Sequence, residues 1–232
     1  MTLPLGERWL LLESGLGDPA FNMALDEVLL AEINRLGHPL LRFYGWAQPA
    51  ATFGYSQCWA CVVTLTTLRP LIRRPTGGGL VLHDQDWTYS VVLPAGHAWS
   101  QLRARDSYRR VHDWVRESLI GLGIAATLAP EAQPGIPGAC FAGAEESDVV
   151  HGRDKIAGAA QRRNRQGLLI QGSVRPPNPE LDRAGFERGM RAVGTRHWGS
   201  AWQVLADAGP LLDRAAVLAA TKYGCGSHNQ RR

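Results

Sequence analysis

Three consecutive glycines, at positions 77–79, constrain the possible fold of this chain more than any other feature of its sequence. They lie in the stretch RRPTGGGLVLHDQDWTYSVVLP, which begins at Arg73 and joins two arginines to alternating apolar and polar residues. Ordering three glycines costs backbone entropy and provides no side-chain packing, so such a run is expected where something lies flat against the main chain. The alternation predicts strands at 80–83 and 87–92, joined by a turn. We therefore predict a glycine-floored cleft on a sheet, with cationic groups suited to an anionic or strongly polar ligand.

The composition is that of an ordinary folded domain. Hydrophobic residues make up 45% of the 232 positions and charged residues 20%, and no apolar run approaches the roughly 18 residues that cross a bilayer. The start of the chain lacks the basic region and long apolar core of a secretory signal, so a cytoplasmic location is expected. One domain, residues 1–232, is expected from the length and from the lack of a clear linker. A formal net charge of +4 does not indicate a nucleic-acid partner, although a basic surface for an acidic protein is compatible with it.

Hydrophobic periodicity elsewhere predicts helices and paired strands in no regular alternation. An amphipathic helix with Asp18 as its N-cap is predicted at 19–36, and a second helix at about 101–122. Further elements are predicted as strands at 40–46, 50–55, 124–128, 148–151, 155–161 and 168–174, with a helical piece at 210–221. This order predicts an α+β fold with a central mixed, mostly antiparallel sheet flanked by helices. The glycine run matches neither the GxGxxG dinucleotide motif nor the GxxxxGK(S/T) phosphate loop.

Cys140 is the strongest candidate for a nucleophile. It lies near the end of a loop rich in proline and glycine, 129–143, and loops of this kind commonly carry functional residues. Lys155 follows in the next predicted hairpin and is one of only two lysines among 25 cationic residues. A nearby ammonium stabilises the thiolate, which is the reactive form of cysteine. The residues alone leave open a buried, inert cysteine and a solvated lysine.

Two other polar patterns are better explained as structural. Cys58 and Cys61 form a CxxC motif, but no second CxxC or histidine pair accompanies it, so we expect no metal site. His83 and Asp84 have the residue types of a base and its orienting carboxylate, yet neighbours on a strand point to opposite faces. A hydrogen-bonding role is therefore favoured for His83 over general-base catalysis.

An arginine cluster follows the lysine in the sequence. Arg162, Arg163 and Arg165, in the segment QRRNRQG, are most simply part of a solvated turn. Docking of a partner protein is the alternative interpretation.

Three segments together carry a resemblance to a known family. They are FNMALDEVLL near the start, RRPTGGGLVLHD in the middle and DKIAGAAQRR in the second half. In this order they resemble the lipoate-protein ligase A and octanoyltransferase family, whose catalytic domain is related to that of biotin-protein ligases. The resemblance covers roughly residues 8–175 and implies an α+β catalytic domain with a central mixed sheet. Members of the family handle lipoyl or octanoyl groups destined for a lysine of a lipoyl domain.

The resemblance also assigns an acyl tunnel and a polar-head site. An aliphatic chain needs a narrow groove free of large side chains, and an activated carboxyl group needs cationic donors. The residues so assigned for binding are Arg73, Arg74, Thr76, Gly77, Gly78, Gly79, His83, Gly158 and Ala159, with Lys155 as a catalytic residue.

The cysteine-dependent octanoyltransferases of the family resemble this chain in one further detail. They have a Cys-Phe dipeptide about fifteen residues before the lysine, an arrangement that Cys140, Phe141 and Lys155 reproduce. By this resemblance Cys140 attacks the thioester of an octanoyl acyl carrier protein, and a lysine of a lipoyl-domain protein then attacks the acyl-enzyme. The acceptor would be the glycine cleavage H protein or the E2 subunit of a 2-oxoacid dehydrogenase. Neither a metal nor another cofactor is required.

The ATP-dependent ligases of the family resemble the chain in a different detail. Their RRxxGGG pattern keeps a third glycine, here Gly79, where cysteine-dependent transferases often have arginine. A ligase requires ATP and magnesium, and its paired arginines and lysine would grip the phosphate of an acyl-adenylate. Only about sixty residues follow the last motif, too few for the usual C-terminal accessory domain of ligases, so we favour the transferase. A catalytically silent module that binds lipoyl groups or carrier proteins is a third hypothesis.

Overall fold

The fold is organised by one large sheet with helices on both of its faces. The computed structural model describes residues 6–133, 143–178 and 180–231. Its strands are β1 Arg8–Gly17, β2 Leu40–Trp46, β3 Ala50–Phe53, β4 Leu71–Arg73, β5 Val81–His83, β6 Trp87–Pro94, β7 Ala126–Leu128, β8 Val149–His151, β9 Asp154–Asn164, β10 Gly167–Val174 and β11 Ala201–Val204. Its α-helices are α1 Pro19–Leu36, α2 Trp59–Val62, α3 Ala104–Ile120, α4 Arg183–Trp198, α5 Gly209–Leu218 and α6 Gly226–Asn229. No helix in these ranges is long and apolar enough to span a membrane.

The large sheet is mixed and mostly antiparallel. In the part of the chain that the structure describes, its eight strands lie in the order β11-β1-β2-β6-β10-β9-β8-β7. β1 pairs in parallel with β11 and with β2, and the other neighbouring strands pair antiparallel. The predicted α+β class with a central mixed, mostly antiparallel sheet is confirmed.

A second, three-stranded sheet flanks the glycine loop. Its order is β4-β3-β5, with β3 parallel to β4 and antiparallel to β5. The two strands predicted on either side of the turn at 84–86 are both present, but β5 belongs to this small sheet and β6 to the large one. The turn therefore carries the chain from one sheet to the other, and it does not close a hairpin.

Helix α1 begins and ends at signals in its own sequence. Asp18 Oδ1 accepts hydrogen bonds from the backbone N–H groups of Ala20 (2.9 Å) and Phe21 (3.3 Å), as the predicted N-cap should. Gly37 ends the helix in the left-handed conformation, with φ 74°. Burial of each large apolar side chain on the inner face stabilises the packing by roughly 2 kcal/mol. These side chains include Leu25, Leu29 and Ile33, all 0% exposed.

Alternation along β2 divides the apolar core between the two faces of the large sheet. Leu40 and Tyr44 lie on the face covered by α1 and α5. Leu41 and Phe43 lie on the opposite face, which α3 and α4 cover. Successive side chains of a strand point to opposite faces, so one strand supplies both cores.

Several elements were not predicted from the sequence, among them β1, α4 and β11. The buried run at 9–12 in β1 lacks alternation, as is usual for a strand between parallel neighbours that is covered on both sides. Helix α4 contains three glycines, which lower helix propensity. An added Cβ at one of them, Gly194, would lie 2.7 Å from the ring of Trp202, so close tertiary packing explains a residue that local propensity disfavours.

Candidate active site

A cleft lies between α1 and the two sheets, and its lining includes none of the glycines at 77–79. Arg74, His83, Gly158 and Ala159, all predicted site residues, line it together. The small residues of β9 keep one wall free of long side chains. The cleft is therefore a groove that has small residues along one wall and the guanidinium of Arg74 in its lining. The floor of the cleft is not formed by the three glycines, in contrast to the prediction.

The glycine loop packs against the end of β3. At Gly54, an added Cβ would lie 2.0 Å from the carbonyl oxygen of Gly78, so this approach requires glycine. Gly78 has a φ of +84°, in the left-handed region that favours glycine. A Cβ added at Gly78 would lie 3.5 Å from the Cβ of Ala160 in β9. Gly77 and Gly79 are half-buried on either side. The loop thus contacts both sheets, and it depends on a glycine at position 54 that the motif did not indicate.

Arg74 is the arginine of the pair that lines the cleft. Its Nε donates to the carbonyl oxygen of Gly77 (3.0 Å), and its Nη1 donates to that of Thr52 (3.3 Å). The residue is 4% exposed. These bonds fix the guanidinium between β3 and the glycine loop, where it supplies a charge that does not titrate at physiological pH.

Arg73 has a different environment, because its guanidinium anchors the C-terminal segment and does not line the cleft. Its five N–H groups donate to five backbone carbonyls, those of Tyr55, Gln57, His228, Asn229 and Arg231. A guanidinium has five N–H donors, so all of them are used. The structure therefore does not bring Arg73 together with the other residues that the resemblance assigns to binding.

A buried polar network supports the glycine loop. Asp26 of α1 forms an ion pair with Arg42 at 2.7 Å, and both side chains are 0% exposed. Asp26 Oδ2 also accepts a hydrogen bond from Gln171 Nε2 (2.7 Å), and Gln171 Oε1 accepts one from Thr76 Oγ1 (2.6 Å). Thr76, another predicted site residue, is thus connected to α1 and positions the loop before the glycines.

The FNMALDEVLL segment supplies two of the residues that hold Arg42, Asn22 and Asp26. Asn22 accepts from Arg42 Nη2 through its side-chain Oδ1 (2.7 Å) and from Nη1 through its backbone carbonyl (3.0 Å). Ser14 Oγ accepts from Nε at 2.8 Å. Because Asn22 and Asp26 are one helical turn apart, they face Arg42 from the same side of α1. A buried network therefore explains Asn22 and Asp26 of this segment.

His83 is oriented by Asp86 and not by its sequence neighbour Asp84. Its Nδ1 lies 2.7 Å from Asp86 Oδ2, and its Nε2 lies 2.8 Å from Thr52 Oγ1. The Trp46 ring stacks on the imidazole at a centroid distance of 3.8 Å. Both imidazole nitrogens have partners, in keeping with the hydrogen-bonding role favoured for His83.

Lys155 pairs with a carboxylate that the sequence did not indicate. Its Nζ lies 2.7 Å from Asp148 Oδ2, and the two side chains are 3% and 0% exposed. Asp148 Oδ1 accepts from Tyr108 OH at 2.5 Å, and Oδ2 accepts from the Glu145 backbone N–H at 2.6 Å. A Cβ at Gly158 would lie 2.6 Å from Lys155 Cε, so this glycine provides the space in which the lysine side chain lies.

A buried histidine packs behind this pair. The rings of His112 and Tyr108 meet edge to face at 4.1 Å. Within the described ranges neither imidazole nitrogen of His112 has a hydrogen-bond partner. Burial lowers the pKa of His112 to about 4, so the ring is neutral at physiological pH.

The cysteines divide into described and undescribed positions. Cys140 and Phe141 lie outside the described residues, so the nucleophile assignment stays a prediction. Cys58 and Cys61 are exposed and are not joined in a disulfide, and Cys58 is the N-cap of the short helix α2. In the ranges that the structure describes, no group of His, Cys, Asp and Glu side chains is arranged to hold a metal ion.

Comparison with known proteins agrees with the fold and with the motifs. Residues 18–176 match the family model of the lipoyl protein ligase A/B catalytic domain. Curated relatives named octanoyltransferase LipM include that of Kyrpidia tusciae, which is 36% identical over 180 residues, 72% of this chain and 66% of the relative. The match thus spans a little under two thirds of that relative's length.

Solved structures share the fold at lower identity. Protein Ta0514 of T. acidophilum superposes with a TM-score of 0.79 at 22% identity, covering 97% of this chain and 99% of its own. A lipoate-protein ligase A bound with ATP superposes with a TM-score of 0.76 at 21% identity, covering 97% and 98%. At this identity the two structures establish the fold alone. The family match, over more than half of the chain, establishes that it belongs to the lipoyl protein ligase A/B catalytic domain family.

Proposed function

We propose that this protein is an acyltransferase that moves an octanoyl or lipoyl group from a carrier-protein thioester through Cys140 to a lysine of a lipoyl-domain protein. The observation that carries the proposal is the match to relatives named octanoyltransferase LipM. The proposal takes residues 1–232 as one catalytic domain acting in the cytoplasm. Its acceptor is the glycine cleavage H protein or the E2 subunit of a 2-oxoacid dehydrogenase.

The cleft suits the acyl group of such a substrate. Met23 and Val81 supply apolar surface, and Gly158, Ala159 and Ala160 keep the β9 wall flat. An acyl chain lying in this groove removes apolar surface from water, which is the main favourable term in its binding. Arg74 is the cation of the lining that would meet the polar end of the substrate.

In the first step the Cys140 thiolate attacks the thioester carbonyl of the donor. A new carbon–sulfur bond forms, the bond to the carrier sulfur breaks, and the carrier leaves as a thiolate that takes up a proton. Lys155 would stabilise the attacking thiolate and the oxyanion that develops on the carbonyl oxygen. The ion pair with Asp148 restricts where the ammonium can lie, which fixes its geometry before the substrate binds.

In the second step the neutral amine of the acceptor lysine attacks the Cys140 thioester. The amide bond forms, the carbon–sulfur bond breaks, and the amine proton passes to the released cysteine sulfur. The reaction exchanges one acyl bond for another, so it needs neither an external energy source nor a metal.

The ATP-dependent ligase is the second candidate, favoured by the three-glycine pattern that includes Gly79. That reaction would need ATP and magnesium, and two arginines to grip the adenylate phosphate. The environment of Arg73 does not favour binding of a phosphate, because its five N–H donors already bond to backbone carbonyls. Releasing them would leave the two buried carbonyls, those of His228 and Asn229, without these partners, each at a cost of about 1–3 kcal/mol.

The test is intact-protein mass spectrometry after the purified protein is mixed with octanoyl acyl carrier protein in the absence of ATP. We expect a hydroxylamine-sensitive octanoyl adduct on the unmodified protein and none on Cys140→Ala. A matched Cys58→Ala variant, which removes an exposed thiol elsewhere, should still form the adduct.

A full yield of octanoylated acceptor from Cys140→Ala, once a lipoyl-domain protein is added, would contradict the proposal. If no adduct forms, the same samples receive lipoate and magnesium ATP. Acceptor modification only under those conditions would establish the ligase instead, whereas ligand binding without transfer from any donor would indicate a silent binding module.

A further inference from the structure

A basic face lies beside the Lys155–Asp148 pair and has no role in the chemistry described above. Residues 103–110 contain four arginines and one acidic residue, all of them exposed. Arg163 of β9 joins them, since its guanidinium donates to the Ser100 carbonyl and to Ser107 Oγ. The residues of this α3 basic face are Arg103, Arg105, Arg109, Arg110 and Arg163.

Helix stability does not explain the arginines. The first turns of a helix carry the positive end of its dipole, so cations there are unfavourable. Arg103 is the N-cap of α3 but makes no side-chain capping hydrogen bond. Arg109 pairs with Asp113 at 3.9 Å, with the arginine on the N-terminal side, which is the weaker order for an exposed i,i+4 pair. The arrangement lowers the intrinsic stability of α3.

Nearby carboxylates do not neutralise the face. Arg105 pairs with Glu146, and Arg109 pairs with Asp113. Asp106 is the remaining acidic residue in the first turn of α3. Five arginines therefore stand against three carboxylates, and the side chains of Arg105 and Arg109 remain 72% and 67% exposed. A surface with excess positive charge and long exposed side chains is complementary to a protein surface rich in carboxylates.

The same helix connects this face to the candidate active site. Tyr108 lies between Arg105 and Arg109 in α3, and its hydroxyl donates to Asp148, the ion-pair partner of Lys155. A protein bound to the basic face would thus lie next to the site but not over the cleft. A thioester on a long flexible prosthetic arm can reach from the basic face to the cleft. An acceptor lysine has a shorter reach, because it extends only by its own side chain.

We propose that the α3 basic face docks the acidic surface of the carrier protein that delivers the acyl thioester. This inference rests on the proposed function. The arginines would speed the encounter through long-range attraction, which is sensitive to salt, and would orient the carrier so that its arm enters from the α3 side.

The experiment compares a charge-reversed face with a matched control. The double variant Arg105→Glu/Arg109→Glu is tested beside Arg35→Glu, whose side chain at the end of α1 is also 67% exposed. Transfer rates are measured with octanoyl carrier protein and with octanoyl-pantetheine as alternative donors, at low and high salt. Anisotropy of fluorescently labelled carrier protein measures binding without turnover.

We expect the double variant to raise KM for the octanoyl carrier protein about tenfold at low salt, with the difference shrinking at high salt. KM for octanoyl-pantetheine and for the lipoyl-domain acceptor should stay unchanged, and Arg35→Glu should behave as the unmodified protein. An equal rise with both donors, or a rise for the acceptor alone, would overturn the inference.

Failure of the proposed function gives a different result. In that case the unmodified protein transfers octanoate from neither donor, and the anisotropy measurement still decides whether the face binds the carrier. Carrier binding that is the same for the double variant and the unmodified protein would also refute the docking assignment.

Discussion

Two buried ion pairs lie near the cleft and differ in what surrounds them. Asp26 and Arg42 sit under α1, where Asp26 also bonds to Gln171 and Arg42 also bonds to Asn22. Asp148 directly precedes β8 and pairs with Lys155 at the start of β9, and Tyr108 of α3 holds the second carboxylate oxygen. Both carboxylates are fully buried, so each requires its cation.

The difference lies in the chemistry of the cation. A guanidinium is planar and permanently charged, and in Arg42 it is held by several oxygens, which suits a fixed support for the glycine loop. An ammonium is compact, and Lys155 lies over a glycine that leaves it space. We therefore expect loss of the Asp26–Arg42 pair to reduce stability first, and loss of the Asp148–Lys155 pair to reduce catalysis first.

The largest expected effect is on folding. Arg42→Met leaves the Asp26 carboxylate buried without its cation, which should lower the free energy of unfolding by about 3–5 kcal/mol. Urea denaturation followed by circular dichroism measures it. The double variant Asp26→Asn/Arg42→Met should recover part of the loss, and equal destabilisation by both variants would mean that the uncompensated charge is not the cause.

Lys155→Met should reduce kcat for acyl transfer about 10²- to 10³-fold, because the developing oxyanion loses its cationic donor. Asp148 also loses its partner, so the double variant Asp148→Asn/Lys155→Met serves as the control for destabilisation. Transfer kinetics together with urea denaturation separate the two effects. If the double variant regains stability and also regains full activity, Lys155 is not a catalytic residue.

The free energy of unfolding should depend on pH in acid because His112 is buried. Its pKa of about 4 lies below the ordinary value of 6.5, so between these values the unfolded chain binds more protons than the folded protein. The free energy of unfolding should therefore fall as the pH drops from about 6.5 to 4, by up to about 3 kcal/mol from this residue. His112→Phe should remove that part of the slope, whereas replacement of the exposed His151 by Phe should leave it. An unchanged slope in His112→Phe would contradict a neutral buried imidazole.

The smallest expected effect is a displacement of the lysine. In Gly158→Ala the new Cβ would lie 2.6 Å from Lys155 Cε, a contact with a flexible side chain that can shift. We expect about a tenfold loss of kcat with little change in stability. Gly96→Ala is the control, because an added Cβ there meets nothing within 4 Å. Equal activity of Gly158→Ala and the unmodified protein would show that the position of Lys155 over the glycine is not needed.

Much of the fold follows from the sequence because its signals are local. Asp18 and Gly37 delimit α1 through bonds within a few residues, and the alternation of 87–92 predicts β6 without knowledge of its partners. Strand β1 is missed because its run at 9–12 is buried on both faces and shows no alternation. Strand β11 is missed because it is a mostly exposed edge strand of only four residues. Their pairing joins residues almost two hundred positions apart, for example Arg8 with Ala201.

The sequence by itself determined the family, the α+β class and the set of small residues along β9. These depend on motifs and on short-range geometry. Only the tertiary structure decided which groups meet: Asp148 as the partner of Lys155, Asp86 in place of Asp84 beside His83, and the separation of Arg73 from Arg74. Hydrogen bonds and ion pairs require oxygen and nitrogen atoms within about 3 Å, and chain topology alone brings residues distant in sequence to that separation.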